Sequence, residues 1–175
     1  MIWRKLNSIS LFILLFLQGC GIYSFSSGIP LPSALKTFSL QIHADVALGP
    51  SDLAEKFQQQ LSNTLLQRTA LQEVHTAGNV HIEGIIKQFE YVAVAPTQGE
   101  RAEQDIEADI ERLTIEIELN YNNPYQEGTS FSKKKFVQHA DMIVNTDRNS
   151  EEPRLIEEVF TKLVEDILSA TVENW

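Results

Sequence analysis

The stretch Leu113-Thr114-Ile115-Glu116-Ile117-Glu118-Leu119-Asn120-Tyr121 alternates apolar and polar side chains without a break. Successive side chains of a strand point to opposite faces, so this period of two predicts a strand with odd positions in a core. Thr114, Glu116, Glu118 and Asn120 then line a wet face, and the other face must be covered. Helical cover is present on both sides in the chain. Upstream, Leu53, Phe57, Leu61 and Leu65 recur every four residues behind the start signal Gly49-Pro50-Ser51-Asp52. Ser51 or Asp52 serves as N-cap, Glu55 follows three residues after Asp52, and the helix ends near Arg68 or Thr69. Downstream, Glu151 to Trp175 carries Ile156, Val159, Phe160, Leu163, Ile167 and Ala170 at helical spacing. Pro153 fits only in a first turn and so sets the start of this second helix.

Three further strands frame the first. Lys36 to His43 alternates around Phe38, Leu40 and Ile42; Val80 to Val94 follows the turn at Gly78-Asn79; and Phe131 to Met142 follows Asn122-Asn123-Pro124 and Gly128. In the second of these the apolar phase changes at Gly84, which predicts a β-bulge there. Pro96 to Asp109, with Gly99 and five acidic residues, reads as a loop. The order βαβββα predicts an α+β two-layer sandwich, with an about four-stranded mixed sheet and both helices on one face. The first βαβ unit reads as a parallel crossover and the later strands as hairpin-linked.

The chain opens MIWRK and continues into an apolar run from Ile9 to Leu17, the layout of a secretory signal peptide. The run is too short to cross a bilayer, which takes about 20 apolar residues. Residues 1–19 are thus read as a signal peptide, 20–35 as a tether rich in Ser, Gly and Pro, and 36–175 as one α+β domain. Removing residues 1–19, which hold Arg4, Lys5 and no acid, leaves 156 residues with twelve basic and twenty-four acidic side chains. Such a balance argues against nucleic acid as a partner, because its phosphates are met by clustered Lys and Arg.

Leu17-Gln18-Gly19-Cys20 resembles the bacterial lipoprotein processing signal, in which the cysteine thiol receives a diacylglycerol and the new amino group an acyl chain. Cys20 is the single cysteine of the chain, so it has no disulfide partner within it. A cysteine buried as a small hydrophobe is the alternative, but position and flanking residues favour lipidation. Several acyl chains on one residue hold a protein firmly to a membrane. Gly21 in place of the aspartate that retains lipoproteins in the inner membrane points, under that sorting rule, to the outer membrane.

Several segments, in chain order, resemble the LPS-assembly lipoprotein family LptE in its Bacteroidetes-type form. They are CGIYSFS (20–26), IP (29–30), KTFSL (36–40), LLQRTAL (65–71), VHIEGII (80–86), VAP (94–96), ERLTIEIEL (111–119) and ENW (173–175). The resemblance implies a helix-on-sheet domain held at the outer membrane by Cys20. Its partner would be the β-barrel LptD, inside which the lipoprotein sits as plug and assembly partner in transport of lipopolysaccharide to the cell surface. Lipopolysaccharide itself is a second implied partner. In the fourth strand, His139 and Met142 stand where the family has aromatics, and the acidic loop 99–109 is longer.

No residues read as catalytic or metal-binding. His43, His75, His81 and His139 lie in different elements without ligand spacing, and Glu116 and Glu118 read as a solvated strand face. The chain is read as a non-enzyme with no cofactor beyond the covalent diacylglycerol and acyl chain on Cys20. The candidate contact residues are Arg112, Lys133, Lys134 and Lys135. The lysine run fits a phosphate-bearing lipid headgroup or protection of an exposed sheet edge; strand alternation sends Lys134 to the face opposite Lys133 and Lys135, which favours the edge. Arg112 fits a barrel carboxylate as well as Glu111 or another neighbour. A different function also stays open, an independent outer-membrane lipoprotein that binds a small ligand or another periplasmic protein.

Overall fold

The computed structural model describes residues 34–94, 110–144 and 147–172. In chain order these form β1 (Thr37–Ala44), α1 (Leu53–Arg68), β2 (Gln72–Glu73), β3 (Val80–Val94), β4 (Ile110–Asn122), β5 (Phe131–Ile143) and α2 (Arg148–Thr171). The sheet order is β2-β1-β3-β4-β5, with β1 parallel to both β2 and β3 and the β3-β4-β5 pairings antiparallel. This is the expected mixed α+β sandwich with one strand more. The addition, β2, is two residues long, too short to carry any periodicity. Cys20 and the acidic loop 99–109 lie outside the described residues.

The alternation of β4 is realised position by position. Leu113, Ile115, Ile117, Leu119 and Tyr121 are buried, and with Phe38, Leu40 and Ile42 of β1 they lie under Leu53, Phe57, Leu61 and Leu65 of α1 and Ile156, Val159, Phe160, Leu163 and Ile167 of α2. Each such side chain contributes roughly 1.5–3 kcal/mol when buried.

The bulge of β3 is not at Gly84. Val80, Ile82, Gly84 and Ile86 keep one phase on the helix face, and the register slips between Ile86 and Gln88, so that Phe89 resumes the buried positions. Lys87 is the extra residue. Gly84 has a packing role instead: a Cβ there would lie 2.8 Å from Ile42 Cδ1 and 3.1 Å from Ile117 Cδ1, so the isoleucines of both neighbouring strands fill its place.

The helix starts also differ in detail. Asp52 precedes α1 but its side chain makes no cap bond; it pairs with Lys56 at 2.9 Å instead. α2 begins at Arg148, a turn earlier than Pro153 implies, because Asp147 caps it by accepting from Asn149 N at 3.2 Å. Pro153 sits inside the helix, where the bond it forfeits is to the carbonyl of Asn149, an exposed residue that water can serve.

β5 is an edge strand, and the structure guards it. Two residues, Ser132 and Lys133, oppose Asn120 in a second bulge, with Lys133 at φ +54° and both bonded to Asn120 Oδ1. Further along, Lys162 of α2 reaches round to donate to the backbone oxygen of His139 at 2.8 Å. An unpaired edge carbonyl is thereby occupied.

At the start of β1, Asn79 Oδ1 accepts from the backbone N–H groups of Lys36 and Thr37, both at 3.1 Å, and Asn79 N donates to Thr37 Oγ1 at 3.0 Å. This knot brings Gly78 against β1. A Cβ there would lie 2.5 Å from Ser39 N and 2.6 Å from Phe38 C, backbone atoms that cannot rotate away. Gly78→Ala is expected to cost about 3 kcal/mol in denaturant unfolding; a cost under about 1 kcal/mol would contradict this packing.

Arg112 of β4 joins Asp141 of β5 through two hydrogen bonds of 2.7 and 2.8 Å. Those bonds hold the Asp141 carboxyl below its ordinary range against some desolvation. A depressed folded-state value gives stability that is present above the unfolded value, about 3.9, and lost as pH falls through the folded one. Arg112→Leu is expected to leave stability at neutral pH within about 1 kcal/mol, since both partners face solvent. The same change raises the Asp141 midpoint toward that of a free aspartate in a chemical-shift titration; an unmoved midpoint would mean the pair does not form in solution.

Candidate functional site

With both helices on one face, no described element covers the other face of the sheet, called here the open face. Its side chains follow from the strand registers. His43 of β1, Ile85 of β3, Glu118 of β4 and Lys135 of β5 form one row across it; Gln88, Glu116 and Val137 form the next; Glu90, Thr114 and His139 follow, then Val92, Arg112 and Asp141. The wet face read from β4 therefore spans four strands. Ile85, Val92, Val137 and Ile143, four of the exposed large apolar residues, all lie on it between charged groups. Apolar and charged side chains are thus interspersed over one surface.

Its charges are partly matched. Lys135 bonds Glu116 at 2.8 Å and Lys87 bonds Asp45 at 2.6 Å, and each hydrogen bond raises the lysine pKa. Arg112 is committed to Asp141, not to Glu111; the latter pairs with Arg148, whose guanidinium lies 4.7 Å from the Tyr91 ring centroid. Tyr91 Oη donates to Glu152 at 3.1 Å, and burial raises its pKa. This cluster ties the start of α2 to the far end of the β3-β4 pair.

The lysine run is dispersed. Lys135 faces the open side; Lys134 lies on the helix side with Nζ 5.1 and 5.4 Å from the ring centroids of Phe131 and Phe136; and Lys133 occupies the bulge. The structure thus separates Lys134 from Lys135 as alternation requires, while the bulge breaks the alternation at Lys133.

One arrangement escaped the sequence reading because its members are 42 residues apart. Ser39 Oγ lies 2.7 Å from His81 Nδ1, and His81 Nε2 lies 2.7 Å from Glu83 Oε1. An ionised carboxylate only accepts, so Nε2 carries the proton and Nδ1 accepts from Ser39. The sequence hydroxyl, imidazole, carboxylate is that of a nucleophile with its base, yet Ser39 is fully buried, which denies its oxygen to a substrate carbonyl. The line serves to join β1 to β3. Among the described residues no group of three or more His, Cys, Asp or Glu could hold a metal.

A groove of about 450 Å³ lies between α1 and α2, lined by Pro50, Lys56, Asn63, Ile156, Glu157 and Phe160 among others. Among the described residues no helix is long and apolar enough to cross a membrane.

Neither a protein-family model nor a curated protein sequence matches the chain. Solved structures do resemble it. A DUF330 protein from Xanthomonas campestris superposes with a TM-score of 0.50 at 9% identity, over 83% of this chain and 90% of that one. A minor lipoprotein from Acinetobacter baumannii gives 0.46 at 14% identity, over 75% and 88% of the two chains. Lipoprotein B from Nitrosomonas europaea gives 0.45 at 12% identity, over 81% and 88%. At such identities the likeness is one of fold alone.

Proposed function

We propose that the protein is an outer-membrane lipoprotein, anchored through Cys20, whose open sheet face packs against the wall of an LptD-type β-barrel. It acts there as plug and assembly partner in transport of lipopolysaccharide to the cell surface. The observation that carries this reading is the open face itself, where Ile85, Val92, Val137 and Ile143 stand exposed between charged side chains. A barrel lumen is polar with scattered apolar groups, and a mixed surface suits it better than bulk water or a lipid tail does. The signal-peptide layout, the residues around Cys20 and the ordered LptE-like segments support the same reading. An excess of acidic groups makes the domain a poor cradle for an anionic lipid on its own, which favours a supporting role beside the barrel.

The groove between the helices supports a second reading, a lipoprotein that holds a small ligand against Ile156 and Phe160. Native purification from the outer membrane separates the two. Recovery of a large β-barrel in equal amount is the expected result, and the chain carrying Ile85→Glu with Val137→Glu should recover about tenfold less barrel at an unchanged unfolding temperature. Recovery of the lipoprotein alone would refute the barrel partnership and direct attention to the groove.

A further inference from the structure

We infer that the end of the sheet where the chain enters β1 faces the membrane, and that Lys36, Lys133 and Lys134 there meet the phosphates of anionic phospholipid headgroups. The inference rests on the reading of Cys20 as the anchor, and it adds an orientation that the reading does not contain.

The first observation is how the charges are distributed. Among the described residues, Lys56, Arg68, Lys87, Arg112, Lys135, Arg148, Arg154 and Lys162 each pair with a carboxylate. With twenty-four acidic side chains available to fourteen basic ones, pairing is the ordinary outcome. Lys36, Lys133 and Lys134 have no carboxylate partner there, and all three lie at one end of the sheet. Lys36 immediately precedes β1; Asn79, which holds its backbone N–H, donates through Nδ2 to Tyr125 Oη at 2.9 Å, and Tyr125 belongs to the turn that leads into β5 and the other two lysines. Glu73 of β2, Glu83 of β3 and Glu127 of that turn lie at the same end, yet none of them pairs with these lysines.

The second observation is the backbone under Lys133. Its φ of +54° lies in the left-handed region, which disfavours a side chain and is usually given to glycine or asparagine. An edge could be guarded by a bulge with glycine in that place; a lysine held there points to use of its charge. The Lys134 ammonium lies 5.1 and 5.4 Å from the ring centroids of Phe131 and Phe136, which hold it without neutralising its charge.

The third is where the chain comes from. Thirteen residues, 21–33, separate Cys20 from Ala34, and Ala34 lies three residues before β1. Acyl chains on Cys20 therefore attach the domain by its lysine-bearing end. Lysines near an anionic bilayer surface add to the hold of an anchor, within a short range set by screening.

The test uses the full mature chain purified from its membrane and placed in vesicles of phosphatidylcholine alone, or of phosphatidylcholine and phosphatidylglycerol in roughly equal amounts. Each lysine is labelled with a water-soluble amine reagent and its rate read by peptide mass spectrometry. Lys36, Lys133 and Lys134 should label about threefold or more slowly in the phosphatidylglycerol vesicles, and salt at about 0.5 M should remove the difference. Lys56 and Lys162 should label alike in both. Equal rates for the three lysines in the two vesicles would overturn the inference, as would protection that needs a membrane protein and is absent in vesicles. The mass of the purified chain reports separately on the anchor. An unacylated Cys20 would sink the anchor reading, while the labelling of chain added to the same vesicles would still decide the lysines.

Discussion

Both helices lie on one face of the sheet, and the edge of the Phe57 ring meets Phe160 at 4.9 Å where α1 and α2 close over it. The rest of the molecule depends on this contact. Two helices side by side are enough to cover five strands on one side, and nothing described is left to cover the other. The helix pair is tied again by Gln60 to Thr161 at 3.1 Å and by the Arg68 and Glu165 pair. Exposed pairs of that kind contribute at most about 1 kcal/mol, so the aromatic contact and the apolar layer beneath it set the arrangement and the pairs follow.

What could be read in advance was whatever a period carries. The odd and even positions of β4, the four-residue spacing of α1 and the apolar stripe of α2 each report a face, and a face is a local property of the sequence. The misreadings arose where tertiary packing decided. Gly84 stands at an apparent phase change because Ile85 and Ile86 are adjacent, yet Ile85 lies on the open side and the slip comes at Lys87. Pro153 sets a helix start by local rules, but Asp147 offered a cap about a turn further upstream than those rules needed. The partners of Arg112 and Ser39 depend on strand registers, which no single strand encodes. The lysines were visible as a run, but that the bulge would part them was not.

Pairing in this chain is a consequence of acidic excess more than a source of stability. Lys56, Lys87 and Arg154 hold exposed carboxylates at distances that cost their side-chain entropy and return little. For the same reason an unpaired lysine is informative here in a way it is not in a basic protein: with so many carboxylates about, three cations at one end have been kept from them by position. Lys133 is kept apart by a bulge, Lys134 by two rings, and Lys36 by its place at the mouth of the sheet.

The orientation and the barrel partnership constrain each other. If the end bearing Lys36, Lys133 and Lys134 meets the headgroups, the strands run away from the membrane surface, and the open face stands side-on to it. A barrel wall is presented side-on to the same surface, with strands tilted by about 35–45° from its axis. β4, thirteen residues long, extends about 44 Å at a strand's rise, well beyond the apolar band of about 25 Å that such a barrel spans. A domain lying flat on the bilayer would instead press Glu116 and Glu118 toward anionic headgroups, and the repulsion argues for the upright placement.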